Sequence, residues 1–211
     1  ASGKHAQAAP GPAAAPAAPA RRRLGDYLVP GALAGPSRLA LPGAPELVVD
    51  PGARAYLGPT QLKGFAPYAQ AQEITPEQWQ PIAAHELSEL AGKLGSPQPW
   101  LRLTWLSGLY RSPGELAPGH ALEDRFTLLK WPQIEREFPR HFRIATAMMK
   151  GPATAAEIAE AAGTPLEEVV DFINASLAAG QAERVAEETS SEDAPARGGG
   201  LLGRLKGLRG N

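Results

Sequence analysis

HFRIATAMMKGPATAAEIAEAAGTPLEEVVDFINASLAAGQAERV, residues 141–185, is the stretch on which the reading of the fold turns. His141–Lys150 has helical spacing that predicts Phe142, Ala145, Met148 and Met149 on one side, and Gly151-Pro152 stops the run. Thr154 precedes Glu157 by three residues, a capping box that opens a short alanine-rich helix over 155–162. Gly163 makes the turn. Thr164, with Pro165 at the first helical position and Glu167 three on, predicts a second capping box. The third helix runs to about Ala179 and turns Val169, Phe172, Ile173 and Leu177 inward. Gly180 closes it, and Gln181–Val185 reads as extended.

Two short helices, a glycine turn and a longer helix ending in Leu-Ala-Ala-Gly resemble the helix-turn-helix of winged-helix domains, over residues 140–185 only. The pattern places a small residue four before the turn glycine, here Ala159. It places hydrophobic residues six and nine after it, here Val169 and Phe172. The resemblance implies a local fold and leaves function open, since such domains serve both DNA binding and protein assembly. On it, the groove-facing positions are Pro165, Leu166, Glu167, Val170 and Asp171. None of these side chains donates to a phosphate or a guanine edge, and the acids repel a polyanion. From 151 to 193 ten acids face one base. A protein-docking role for Glu167, Val170 and Asp171 therefore ranks above DNA reading.

Upstream, Leu39–Leu41, Glu46–Val49 and Ala53–Leu57 are short apolar runs separated by Pro42-Gly43 and Asp50-Pro51-Gly52. They predict a small β-hairpin or meander. Thr75, Pro76 and Gln78 form another capping pattern, and Ala83–Leu94 repeats apolar residues at helical spacing until Gly95. Pro99 opens a helix through Tyr110 with almost no polar face, which predicts a central, buried element. Phe126–Trp131 reads as one more strand.

Composition sets the outer limits. Of 211 residues, 23 are glycine and 22 proline, about twice the usual share, so part of the chain is expected to be linker. With no cysteine, disulfides, thiolate metal sites and a cysteine nucleophile are excluded. The formal net charge of −1 gives no global affinity for polyanions. Residues 1–36, rich in alanine and proline, are predicted to be a disordered arm or linker. Residues 37–138 are read as an α+β domain, 139–186 as the winged-helix-like domain, and 187–211 as a flexible linker with a basic amphipathic tail. In that tail Leu201, Leu202, Leu205 and Leu208 recur at helical spacing, with Arg204, Lys206 and Arg209 between them. Such a peptide suits an acidic groove or an anionic membrane surface.

Other candidates are weaker. His85 and Glu89 share a helix face beside Glu86, as metal ligands do, but the pattern lacks a second histidine and a third ligand. His120 and His141 are read as surface or capping residues, and Glu123-Asp124 and Glu135/Glu137 as solvated acids beside Arg125 and Arg136. Arg23-Leu24-Gly25, followed by Gly31 and Leu33, resembles the opening of the cyclic di-GMP-binding modules of bacterial secretion and pilus ATPases, one residue out of spacing and without a second copy. That resemblance implies Arg23 on a phosphate and Gly25 under a guanine. No nucleophile elbow, Walker loop or dinucleotide fingerprint occurs.

The expectation is a mainly α protein with a small β-hairpin or meander (α+β), a C-terminal winged-helix-like module and disordered tails. It is read as a non-catalytic bacterial adaptor or regulator of the cytoplasm that needs no cofactor or metal. Protein partners are expected at Glu167, Val170 and Asp171 and at Leu201, Leu202, Arg204, Leu205 and Leu208, with a membrane surface as a further target of the tail. The alternatives are a DNA-binding regulator and a cyclic di-nucleotide effector.

Overall fold

The computed structural model describes residues 21–186, which form an α+β fold. The expectations for residues 1–20 and 187–211, including the tail leucines, lie outside the described residues. The meander is present as β1 (Ser37–Leu39), β2 (Leu47–Asp50) and β3 (Ala55–Leu57). Register runs Leu39 opposite Leu47 and Val49 opposite Tyr56. The turn between β2 and β3 closes because the Asp50 carboxylate accepts from the amides of Gly52 and Ala53 at 3.0 and 3.2 Å. Two short strands missed in the sequence complete an antiparallel sheet of five, β4 (Gln80–Pro81) beside β1 and β5 (Pro97–Pro99) beside β3. Both are edges carrying proline, which cannot donate to a further strand.

One face of this sheet packs on α1 (Ala66–Gln70) and α3 (Leu101–Arg111). Leu103, Trp105, Leu106 and Leu109 of α3 are buried, as its apolar circumference requires. The Tyr68 hydroxyl of α1 donates to the carbonyls of Leu39 and Pro45, at 3.0 and 2.8 Å, tying the helix to the sheet. By contrast α2 (Leu87–Leu94) buries no side chain fully.

The 1–36 arm needs correction at its C-terminal end. Leu24 and Tyr27 lie on a 3-10 turn, Leu24–Tyr27, that Leu28 caps, and all three are buried in the core with α3. The Tyr27 hydroxyl donates to the Ile74 carbonyl at 2.7 Å, and the Ile74 amide donates to the Arg22 carbonyl at 2.7 Å. Leu24, Tyr27 and Leu28 are an apolar trio at i, i+3, i+4, one helical face directly after the alanine-proline run.

The C-terminal half comprises β6 (Arg125–Leu128), α4 (His141–Met148), α5 (Ala155–Ala162), α6 (Leu166–Ala178) and β7 (Ala182–Val185). Strands β6 and β7 pair antiparallel, Arg125 opposite Val185 and Leu128 opposite Ala182. On its other side β6 bonds Ala153, whose amide and carbonyl exchange bonds with Phe126 at 3.1 and 2.8 Å. The Thr154–Glu157 capping box forms as read, whereas Thr164 makes no cap: its hydroxyl donates to the Ala162 carbonyl and α6 starts from Pro165.

Buried side chains run as one contiguous core from Leu24 to Ala182, so the packing has no gap at the expected 138/139 boundary. The bridge is α3 against α6. A β-carbon at Gly108 would stand 2.8 Å from the Ala175 α-carbon, the Ala178 β-carbon and the Asn174 carbonyl oxygen. The two helices touch backbone to backbone there. Among the described residues no helix is long and apolar enough to cross a membrane.

Candidate functional site

Helix α6 is the element that the sequence offered as a reading head, and the structure covers most of it. One side lies on α3. Another is capped by the loop 112–124, whose Gly114 and Ala117 amides point at the helix. The Gly114 amide donates to the Asp171 carboxylate and the Ala117 amide to the Asn174 side-chain oxygen, both at 2.8 Å. The Asn174 side-chain amide donates back to the Glu115 carbonyl at 2.8 Å. Val170 is buried, which corrects its assignment as a docking residue, and the Asp171 carboxylate is engaged within the chain. Of the three residues singled out on α6, Glu167 alone is exposed. Local periodicity could not find this, because the covering loop is 57 residues upstream.

Beside α6 lies a cleft of about 390 Å³ between the ends of α3 and α4. Leu109, Phe138 and His141 form its apolar part, and Glu137, Glu168 and Asp171 bring carboxylates to it. Arg140 is the guanidinium at this cleft and is ion-paired with Glu168. Glu137 accepts from the amides of Leu62 and Lys63 at 3.0 and 3.1 Å, so the acid read as solvated anchors the 3-10 turn Leu62–Phe65. Burial pushes the Asp171 carboxyl up, helped by Glu167 and Glu168, while the Gly114 amide pulls the other way.

His141 corrects another reading. It is 6% exposed, stacked on Phe138 at 4.9 Å and edge-on to Trp105 and Phe172. Its Nδ1 is buried without a hydrogen-bond partner, and burial pushes the imidazole down to about 4. Above about pH 6.5 the ring is neutral both folded and unfolded. Below that, the unfolded chain takes up a proton that the folded chain refuses, so stability falls with pH until about 4. Between pH 7.5 and 4.5 the expected loss from this group is about 2 to 3 kcal/mol, at about 1.4 kcal/mol per pH unit. Urea melts of the native chain and of H141F at both pH values measure it: an equal acid loss in the two proteins would exclude the buried histidine as its source.

With His141 inside, the register of α4 is rotated from the expected one. Ile144, Ala145 and Met148 are buried, while Phe142 and Met149 face outward at 56% and 43% exposure. The aromatic stack of His141 on Phe138 fills the inward position that apolarity alone assigns to Phe142. The predicted strand 126–131 also stops at Leu128, leaving Leu129 and Trp131 exposed. The Trp131 and Phe142 rings meet edge-on at 5.6 Å. The pair forms an exposed aromatic contact on the outer side of α4, accompanied in sequence by the exposed Lys130, Arg143 and Lys150.

The remaining candidates are absorbed by structure. Arg23 donates to the Arg111 carbonyl at 2.6 Å and to the Gln72 side chain. Gly25 packs so tightly that an added β-carbon would stand 2.8 Å from the Ser107 hydroxyl, which accounts for the glycine without a nucleotide. Glu89 pairs with Lys93 at 2.6 Å beside the exposed His85, and among the described residues no three His, Asp or Glu side chains converge on a point. His120 has the Asp124 carboxylate at 3.8 Å. Comparison with protein-family models, with curated proteins and with solved structures gives no match.

Proposed function

We propose that the chain is a non-catalytic adaptor whose C-terminal, winged-helix-like half docks a protein partner on the outer face of α4. The observation that carries this is the exposed Trp131–Phe142 pair with Leu129 and Met149. The two rings touch while each is about half exposed, and contiguous exposed apolar surface of this kind is characteristic of contact surfaces. Aromatic residues and arginine are the usual anchors of such contacts. Lys130, Arg143 and Lys150 define the chemistry of the partner: an apolar peptide flanked by aspartate or glutamate.

The order α4, Ala153 bridge, α5, α6, β7 supports the winged-helix reading, with one departure. The strand paired with β7 is supplied from upstream, by β6, where a wing would follow β7. The DNA-reading alternative is weakened by the cover over α6, since Val170 is buried and Asp171 and Glu168 are engaged within the chain.

A peptide library displayed on phage, selected on the full chain and counter-selected on the W131S/F142S variant, tests the proposal. The expected result is enrichment of sequences with two or more large apolar residues beside Asp or Glu. No enrichment, or equal enrichment on the variant, would sink it. So would fluorescence anisotropy showing that DNA binds the full chain at physiological salt.

A further inference from the structure

We infer that the cleft between α3, α4 and α6 seats the chain's own basic leucine segment, Leu201–Arg209. This goes beyond the adaptor reading and does not depend on it, since the outer face of α4 plays no part in it.

The argument starts from charge. Glu137, Glu168 and Asp171 bring three carboxylates to the cleft against the single guanidinium of Arg140. With His141 held neutral at physiological pH, the lining is left with a net charge of about −2. Segment 201–209 carries Arg204, Lys206 and Arg209 and no acid. Its leucines need an apolar floor, which Leu109, Phe138 and the His141 ring provide. The volume of about 390 Å³ accommodates a few side chains, not a whole helix. A short peptide whose Gly203 and Gly207 disfavour continuous helix fits that scale.

Charge also selects between the two surfaces. The outer face of α4 is accompanied in sequence by the exposed cations Lys130, Arg143 and Lys150, and α4 carries no carboxylate to attract the segment, so charge favours the cleft. Reach is sufficient. Residues 186–200 separate β7 from Leu201, and fifteen residues span up to about 50 Å. The thirteen residues of α6 extend only about 20 Å. Tethering at that length gives an effective concentration on the order of millimolar, so a contact too weak to hold a free peptide still fills the cleft within one chain.

The test places a photo-reactive benzoylphenylalanine at Leu205 of the full chain, in a mixture of normal and ¹⁵N-labelled protein, with cross-links mapped by mass spectrometry. The expected products are cross-links within one chain to Tyr110 or to residues 137–141. They should drop several-fold in the R204Q/K206Q/R209Q variant and in 0.5 M salt, about three times physiological ionic strength. Cross-links to Trp131 or Phe142, cross-links between differently labelled chains, or no cross-link overturn the inference. Because the probe itself replaces a leucine, amide spectra provide a second measurement. The native full chain and L201S/L202S/L208S should differ at cleft amides, and identical cleft signals also overturn it. Neither readout involves an added peptide, so failure here leaves the library experiment unaffected.

Discussion

Replacing Arg102 with alanine is expected to cost about 3 to 5 kcal/mol of folding stability. Arg102 sits on α3 with its side chain 9% exposed, and the Glu135 carboxylate it grips is 11% exposed. All five guanidinium donors are used. Nε and Nη2 hold the two Glu135 oxygens at 2.8 and 2.7 Å, and Nη2 also donates to the Thr60 carbonyl at 2.7 Å. Nη1 donates to the Gln98 side chain at 3.0 Å and to the Tyr56 hydroxyl at 3.2 Å. Burial pushes that hydroxyl up to about 12, so it stays protonated at neutral pH. One side chain thus joins α3, β3, β5 and the loop leading to α4. Its bidentate bonds to Glu135 hold its own proton more firmly than usual.

Truncation strands a carboxylate in a site built for a partner, which is where most of the loss arises. In R102M/E135L both charges go together, and the double variant is expected to recover most of the loss. R102K keeps a charge but lacks the planar fork and should fall between. Urea melts at pH 7 measure all three. In a fold of this size the alanine variant should melt about 10 °C lower. A loss below about 1 kcal/mol, or no recovery in the double variant, would show that the clamp is a surface contact in solution.

That clamp marks where the sequence stopped being readable. Glu135 beside Arg136 gave the local signature of a solvated pair, but its partner is 33 residues upstream. Features set by neighbours in the chain were legible: the meander from its Pro-Gly and Asp-Pro-Gly turns, the Thr154 cap, and the burial of α3. Features set by distant contacts were not. Residues Leu24–Leu28 fold because α3 covers them, and β4 and β5 are strands because β1 and β3 recruit them.

The candidate site divides along the same line. Asp171 was singled out for its position on a presumed reading helix, and it does line a cleft. The reason is the loop at Gly114 and the facing end of α3, neither visible from 165–171. The outer face of α4 was missed altogether. Amphipathic periodicity assigns large apolar residues inward, so an aromatic placed outward reads as a core residue until the alternative is seen to be filled, here by His141 on Phe138.

Gly108→Val is expected to lose about 3 kcal/mol or more, and Gly108→Ala about 1 to 3. Helix propensity argues the other way, since alanine in place of a helical glycine gains up to about 1 kcal/mol. Packing decides the sign. Two of the three atoms 2.8 Å from a β-carbon at this site are α6 backbone, the Ala175 α-carbon and the Asn174 carbonyl oxygen, and backbone cannot rotate away. The third is the Ala178 β-carbon, so A178G in the G108A background should return only a minor part of the loss. Moving α6 outward also lengthens the bonds that hold loop 112–124, from the Gly114 and Ala117 amides to Asp171 and Asn174. Hydrogen exchange at those two amides should therefore accelerate in G108A more than exchange in β2, which packs elsewhere in the core. Stabilisation by G108A would mean that α3 and α6 stand further apart in solution. Unchanged exchange at Gly114 and Ala117 alongside lost stability would uncouple the cover over α6 from the helix crossing beneath it.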